Sequence, residues 1–326
     1  MEKATMIIRR SVNTFLYSYH TFSSIAALLV LPVSVSILLS QALISSSSSS
    51  SSSPLLLLTI TSRIQSLFDA AGFPSSSLLF SFLNTKLSET SFSFVFAFPS
   101  SITFLVLAKA SVVLTIFEFP RHKVAPPPLS SLLRIYRPVL GTFLLSSLIF
   151  ISINAAIFSL LFLAFSLVNF LGFSSNNSVF GLSAFGAILY SVILAFTIVI
   201  CNLAIIVSAV ENSSCFLSVL KACMIIRGRI STALILALFS NLMMAAVEAL
   251  FQYRVIRPYH LNRKFNLALV GEGFSIIYMH SILIVLDVIL TCMFYKSCKS
   301  GEQPNWDRDD HHHIELEAEE KGEFQV

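Results

Sequence analysis

Six long apolar runs, parted by short polar stretches, set the pattern of this chain. They cover about residues 22–44, 92–118, 139–170, 181–210, 231–252 and 274–295. A hydrocarbon layer about 30 Å thick takes roughly 20 apolar residues per helical span. Each run meets that length, so the pattern predicts an all-α bundle of six transmembrane helices within residues 1–295. The two middle runs exceed the need, and tilt or extension beyond lipid absorbs the excess. The first run is longer than the 7–15 residues of a signal-peptide core. It reads as a retained span, with Ala42 and Ser45 leaving cleavage open.

Three segments ahead of the first, third and fifth runs repeat one design. Ile8, Val12, Phe15, Leu16 and Tyr19 form a helical stripe beside Arg9, Arg10, Asn13 and His20. Leu129, Leu132, Leu133 and Tyr136 do so opposite Ser130, Arg134 and Arg137. Phe216, Val219, Leu220, Cys223 and Ile226 do so with Lys221, Arg227 and Arg229. Such spacing predicts helices lying in the headgroup plane, their basic residues on lipid phosphates. A threefold unit of surface helix, span, outer loop and span would explain the recurrence. So would the general tendency of helices to be basic and amphipathic where they approach a membrane.

The connecting segments differ. Residues 45–53 are an unbroken serine run, a low-complexity linker. Leu55–Leu58 with Ile64, Leu67 and Phe68 suggest a short surface helix. The stretch Pro120–Pro128 breaks any helix. Residues 171–180 form a Gly/Ser/Asn turn without charge.

Composition supports lipid as the surrounding medium. The 326 residues are 55% hydrophobic and 12% charged, where a soluble domain carries about 25% charged residues. Mean hydropathy is +0.82. The net charge of +4 hides an acidic tail over 296–326, which reads as solvated and disordered. Lys and Arg concentrate in segments that share a side with the N-terminus, so both termini are expected in the cytosol. Residues 253–273 depart from that balance: Arg254, Arg257, Arg263 and Lys264 fall on the expected outer face. Either this loop rests on headgroups or the last two spans are not both full crossings. The organelle is not legible.

Ionisable groups inside spans are costly and often functional. Here they are Lys109, Glu248, His280 and Asp287, with Glu118 and Glu211 at span ends. At 1.5 Å per residue, Lys109 and Asp287 each lie about 12–13 Å inside the cytosolic end of their spans. Asn202 falls at a similar depth. This predicts a polar layer in which Lys109 pairs with Asp287, bridged by Asn202. The alternative is a Lys109 that reaches the headgroups and an Asp287 that is wet or protonated. Glu248 and His280 sit near the outer face and are expected to reach water, with pairing between them as the alternative.

The remaining signals are weak. His311–His313 among acidic residues could bind a transition metal, but a flexible tail fixes no geometry, and no metal or cofactor is expected. Cys201, Cys215, Cys223, Cys292 and Cys298 show neither a disulfide framework nor zinc spacing. Cys292 and Cys298 lie at a boundary where palmitoylation is open. The sequons at Asn176 and Asn212 are not expected to be used. Glycine-rich phosphate loops, nucleophile elbows and metalloprotease motifs are absent. Nothing points to nucleic acid, and oligomeric state is not legible.

The stretch Cys201–Glu211, followed by Leu220-Lys221-Ala222-Cys223 and Ile226-Arg227-Gly228-Arg229, resembles a family of uncharacterised plant six-span membrane proteins. More distantly it is similar to the membrane domain attached to some bacterial glycerophosphodiester phosphodiesterases. There a span ending in Glu precedes a surface helix with an A-L-x-x-S-type segment and a basic-Gly pair. Here Val219 stands for the Ala and Cys223 for the Ser. The resemblance implies a multi-pass module without a catalytic site of its own. Glu211 also has a physical reading, since a carboxylate suits the positive N-terminus of the helix that follows.

Three functional readings stand. The first is a non-enzymatic membrane protein that organises partners or lipids in the bilayer. The second is a transporter or channel for a small solute, lined by Lys109, Asn202 and Asp287. The third is an intramembrane enzyme of lipid metabolism.

Overall fold

In the computed structural model the described residues are 2–47, 55–70, 78–117, 129–170, 176–262 and 267–299. All the elements they form are helical. They are α1 (Glu2–Tyr17), α2 (Tyr19–Ile25), α3 (Leu31–Ser47), α4 (Leu55–Ala70), α5 (Leu78–Ser100) and α6 (Val106–Phe117). After these come α7 (Leu129–Phe170), α8 (Asn176–Glu211), α9 (Cys215–Arg227), α10 (Ile230–Phe251), α11 (Arg257–Asn262) and α12 (Leu267–Lys299).

Six helical stretches are long and apolar enough to cross a membrane: Tyr19–Ile44, Leu87–Phe117, Leu132–Leu161, Ala184–Glu211, Ile230–Tyr259 and Ala268–Lys299. The chain is a multi-pass α-helical membrane protein. α12 stays helical to Lys299, across the first residues of the expected tail; the rest of that segment, with His311–His313, lies outside the described residues, as do Glu118 and the Pro120–Pro128 segment. The expected loop 253–273 is mostly helix, since a π turn and α11 prolong the fifth span and α12 begins at Leu267.

α12 is the central post. It packs against α1, α2, α3, α6, α8 and α10, and half of its span is buried, against 11% for the third. Val285, Ile289, Cys292 and Tyr295 are sealed within it. α7 pairs with α8 at the periphery. Hydroxyl pairs tie neighbouring spans: Ser36 to Ser100 at 2.6 Å and Ser40 to Ser93 at 2.8 Å between α3 and α5, and Thr142 to Ser208 at 2.8 Å between α7 and α8. In hydrocarbon no water competes for these groups, so each finds a partner on the next helix.

Three π turns widen the spans, at Ala26–Val30, Ser101–Leu105 and Gln252–Ile256. The first and third each end two residues before a proline, Pro32 and Pro258. Proline has no N–H and its ring crowds the carbonyl four residues back. The wider turn closes instead on the preceding residue, Leu31 N–H to Ala26 O and Arg257 N–H to Gln252 O.

The amphipathic segments behave differently from one another. The first and third are the separate helices α1 and α9. The second runs unbroken into the third span within the 42 residues of α7. Their inward faces take only Phe15 and Ile226 from the stripes, with smaller residues beside them. α1 buries Ala4, Ile7, Ser11 and Phe15 and exposes Val12 and Leu16. α9 buries Ser218, Ala222 and Ile226 and exposes Phe216, Leu217, Leu220 and Met224. Small residues let helices approach closely, while large apolar ones are as content in lipid. The same closeness appears at Gly141 of α7, where an added Cβ would lie 2.7 Å from Cys215 Sγ of α9.

The turn between α8 and α9 rests on Asn212, which adopts φ 49°. Asparagine tolerates this left-handed conformation, and a β-branched residue does not. Asn212→Val is therefore expected to destabilise the protein by about 1–2 kcal/mol, with Asn212→Gly near neutral. Unfolding in mixed micelles measures both, and equal stabilities for the two variants would contradict this account of the turn.

Candidate functional site

Polar side chains gather at three levels along α12. At its C-terminal end Glu211 joins three helices. Its Oε1 accepts from Tyr295 Oη at 2.9 Å and its Oε2 from Lys221 Nζ. Lys299 Nζ lies 4.0 Å from Oε1 and 5.8 Å from the Tyr295 ring centroid. Arg229 Nη1 donates to the carbonyl of Ser297 at 2.9 Å. Glu211 thus fastens the end of α8 to α9 and α12, a larger task than compensating one helix dipole. Tyr295 and Lys299 escaped the sequence reading. Their periodicity was no different from that of other residues of an apolar span and its end.

At the middle level Lys109 Nζ donates to Asn202 Oδ1 at 3.0 Å, joining α6 to α8. Asp287 does not meet Lys109 in an ion pair; its Oδ1 accepts from Ser240 Oγ at 2.6 Å, joining α12 to α10. The depth argument therefore brought Lys109 and Asn202 together and left Asp287 with a different partner. Ser240 is a common residue in an apolar helix, and only the pairing of α10 with α12 singles it out. A crevice of about 40 Å³ lies between α8, α10 and α12, lined by Asn202, Asn241, Asp287 and Thr291 among apolar side chains. That volume holds about two or three waters.

At the third level His280, 1% exposed, sits between α3 and α10. Its Nδ1 is 3.0 Å from Ser34 Oγ, and its Nε2 is 3.8 Å from Glu248 Oε1. Gln41 Nε2 donates to Glu248 Oε2 at 3.0 Å, and Ser281 Oγ lies 2.9 Å from Ser34 Oγ. His280 was expected to reach water. Instead it is buried, because Ser34 and Glu248 satisfy it from two neighbouring helices. Serine, histidine and carboxylate are the types of a nucleophilic triad. Here, however, Ser34 is fully buried and no substrate atom can reach it, so the trio ties α3, α10 and α12 together.

The basic residues lie where lipid can meet them. Arg9, Arg134, Arg137 and Arg227 are exposed and Arg10 is half-buried, while Lys221 and Arg229 are engaged as described. No group of three or more metal-ligating side chains occurs among the described residues. The five cysteines are unpaired.

A family model described as a domain of unknown function, DUF8558, matches residues 3–324. The chain belongs to the DUF8558 family. That match covers all three polar levels, including Lys109, Asn202, Glu211, Glu248, His280 and Asp287. No curated protein and no solved structure matches the chain.

Contact decides which polar pairs are energetically coupled. A double-mutant cycle of Lys109→Met with Asn202→Leu is expected to show coupling of about 0.6–1.7 kcal/mol, the range of interhelical hydrogen bonds in membranes. The cycle of Lys109→Met with Ser240→Ala is expected to be additive. Coupling in the second cycle but not the first, read by unfolding in mixed micelles, would overturn the assignment.

Proposed function

We propose that this DUF8558 protein is a non-enzymatic membrane protein that works by association, gathering anionic lipid around one face of its bundle and through it organising partners. The observation that carries this reading is the outward face of α9. Phe216, Leu217, Leu220 and Met224 are between 47% and 72% exposed, next to the exposed Arg227 and Lys221. A large apolar face beside basic residues suits the boundary between acyl chains and headgroups. Arg134 and Arg137, at the start of α7, add exposed positive charge. With both termini in the cytosol this face meets the leaflet richest in anionic lipid. The resemblance to membrane domains joined to bacterial glycerophosphodiester phosphodiesterases supports a setting close to lipids.

Each basic residue near such a surface contributes about 1 kcal/mol of attraction. In nanodiscs of mixed phosphatidylcholine and phosphatidylserine, the combined Arg134→Gln, Arg137→Gln and Arg227→Gln variant is expected to retain far less phosphatidylserine. The loss should approach about fivefold per residue at low salt, as read by lipid analysis of the purified protein. Unchanged retention would remove the basis of this reading.

The crevice at Asp287 favours a second reading, passage of a small solute. At about 40 Å³ it admits water or a bare ion rather than an organic molecule. Flux through proteoliposomes that is lost in Asp287→Asn would favour this reading over the first.

A further inference from the structure

The α7–α8 hairpin is too long for an ordinary bilayer. From Val139 to Val210 the chain holds no Asp, Glu, Lys, Arg or His. Helix α7 is apolar from Val139 to its end at Phe170, and α8 from Val179 to Val210. At 1.5 Å per residue each stretch is about 48 Å long, against a hydrocarbon core of about 30 Å. Tilt alone would need about 50°, beyond the roughly 40° limit of spanning helices. By contrast α10, Ile230–Phe251, is about 33 Å long and is followed by the polar Gln252 and Arg254.

The distal half of the hairpin is also built for hydrocarbon. Leu160, Leu163, Leu167, Phe170, Phe185 and Ile188 are each more than half exposed. Two of its polar side chains meet between the helices: Tyr190 Oη donates to Asn154 Oδ1 at 2.8 Å, and Asn154 Nδ2 to the Phe150 carbonyl at 2.7 Å. The two helices close on each other where Gly186 receives Leu161; a Cβ there would lie 2.5 Å from Leu161 Cδ2. Water around this surface would be costly, and the lack of any charge rules out a salt-bridged protein coat of its own.

We propose that the α7–α8 hairpin holds a collar of thickened bilayer at one side of the bundle, and that the protein thereby selects long-chain lipid. On the α10 side Arg229, Glu248 and Arg254 bound the apolar stretch within ordinary thickness, so the mismatch is one-sided. This inference concerns acyl chains and does not depend on the headgroup reading above.

The test uses the full chain with Trp306→Phe, leaving no native tryptophan, and either Phe185→Trp or Leu163→Trp. The protein is reconstituted in phosphatidylcholine vesicles carrying bromine on the acyl chains. Blue-shifted emission, about halved relative to unbrominated lipid, is expected at both sites, as for any residue within hydrocarbon. Red-shifted, unquenched emission would place the hairpin in water, and blue-shifted, unquenched emission would place protein such as a second copy over it. Either result overturns the proposal. Independently, the thermal midpoint of the unsubstituted protein is expected to rise from short-chain to long-chain phosphatidylcholine; a flat or falling series also overturns it. Arg227→Gln should leave the quenching unchanged, which separates this proposal from the headgroup reading.

Discussion

Hydrocarbon offers a polar group no partner, and the rest of this structure follows from that shortage. Most hydroxyls, amides and charges described within the spans are satisfied by their own helix or by the next one, the buried Ser146 hydroxyl being an exception. α12 makes the consequence plain. His280, Asp287 and Tyr295 project from it at three heights, and each is answered from another helix, by Ser34, Ser240 and Glu211 respectively. These contacts replace water, so they set which helices are neighbours and in what register. The apolar packing around them is more permissive, because lipid tails compete with it on nearly equal terms.

That competition explains how legible the chain was. The six spans could be read because length and hydropathy alone decide them. Depth placed Lys109, Asn202 and Asp287 at one level, but it could not tell that Lys109 bonds Asn202 while Asp287 bonds Ser240. The inward faces of α1 and α9 could not be read by the rule that serves soluble proteins. The large residues Val12, Leu16, Phe216 and Leu220, read from the sequence as stripes for the headgroup plane, stay exposed, and the bundle takes Ala4, Ser11, Ser218 and Ala222. In water the large residues would have been buried. In lipid they are already in their solvent, and the small residues win the contact because backbones approach there. Ser240, Tyr295 and Lys299 were invisible for a related reason: a hydroxyl or a terminal lysine gains meaning only once its neighbour is known.

The prolines show a local rule giving way to the same shortage. Pro32 and Pro258 each remove a backbone donor within a span, and a broken helix would strand carbonyls in lipid. The chain widens to a π turn ahead of each instead, so the backbone stays paired through Leu31 and Arg257. Widened turns often accompany functional sites. Here the turn at Ala26–Val30 packs directly on α12 and α6, close in sequence to Ser34, which reaches His280. The distortion therefore serves the placement of a polar contact as well as the accommodation of a ring.

The same physics divides the molecule into two parts with different work. The α10–α12 side carries the ties of Asp287, His280 and Glu248, and charged residues interrupt or bound its apolar stretches. The α7–α8 side carries no charge from Val139 to Val210 and turns large side chains outward in its distal half. Stability of the bundle does not require that length, since the tie between Thr142 and Ser208 already fixes the hairpin near its base. Apolar helix continued beyond the point where packing needs it interacts with what surrounds the protein. On the reading proposed above, its length and its lack of charge make that surrounding the acyl chains of the membrane.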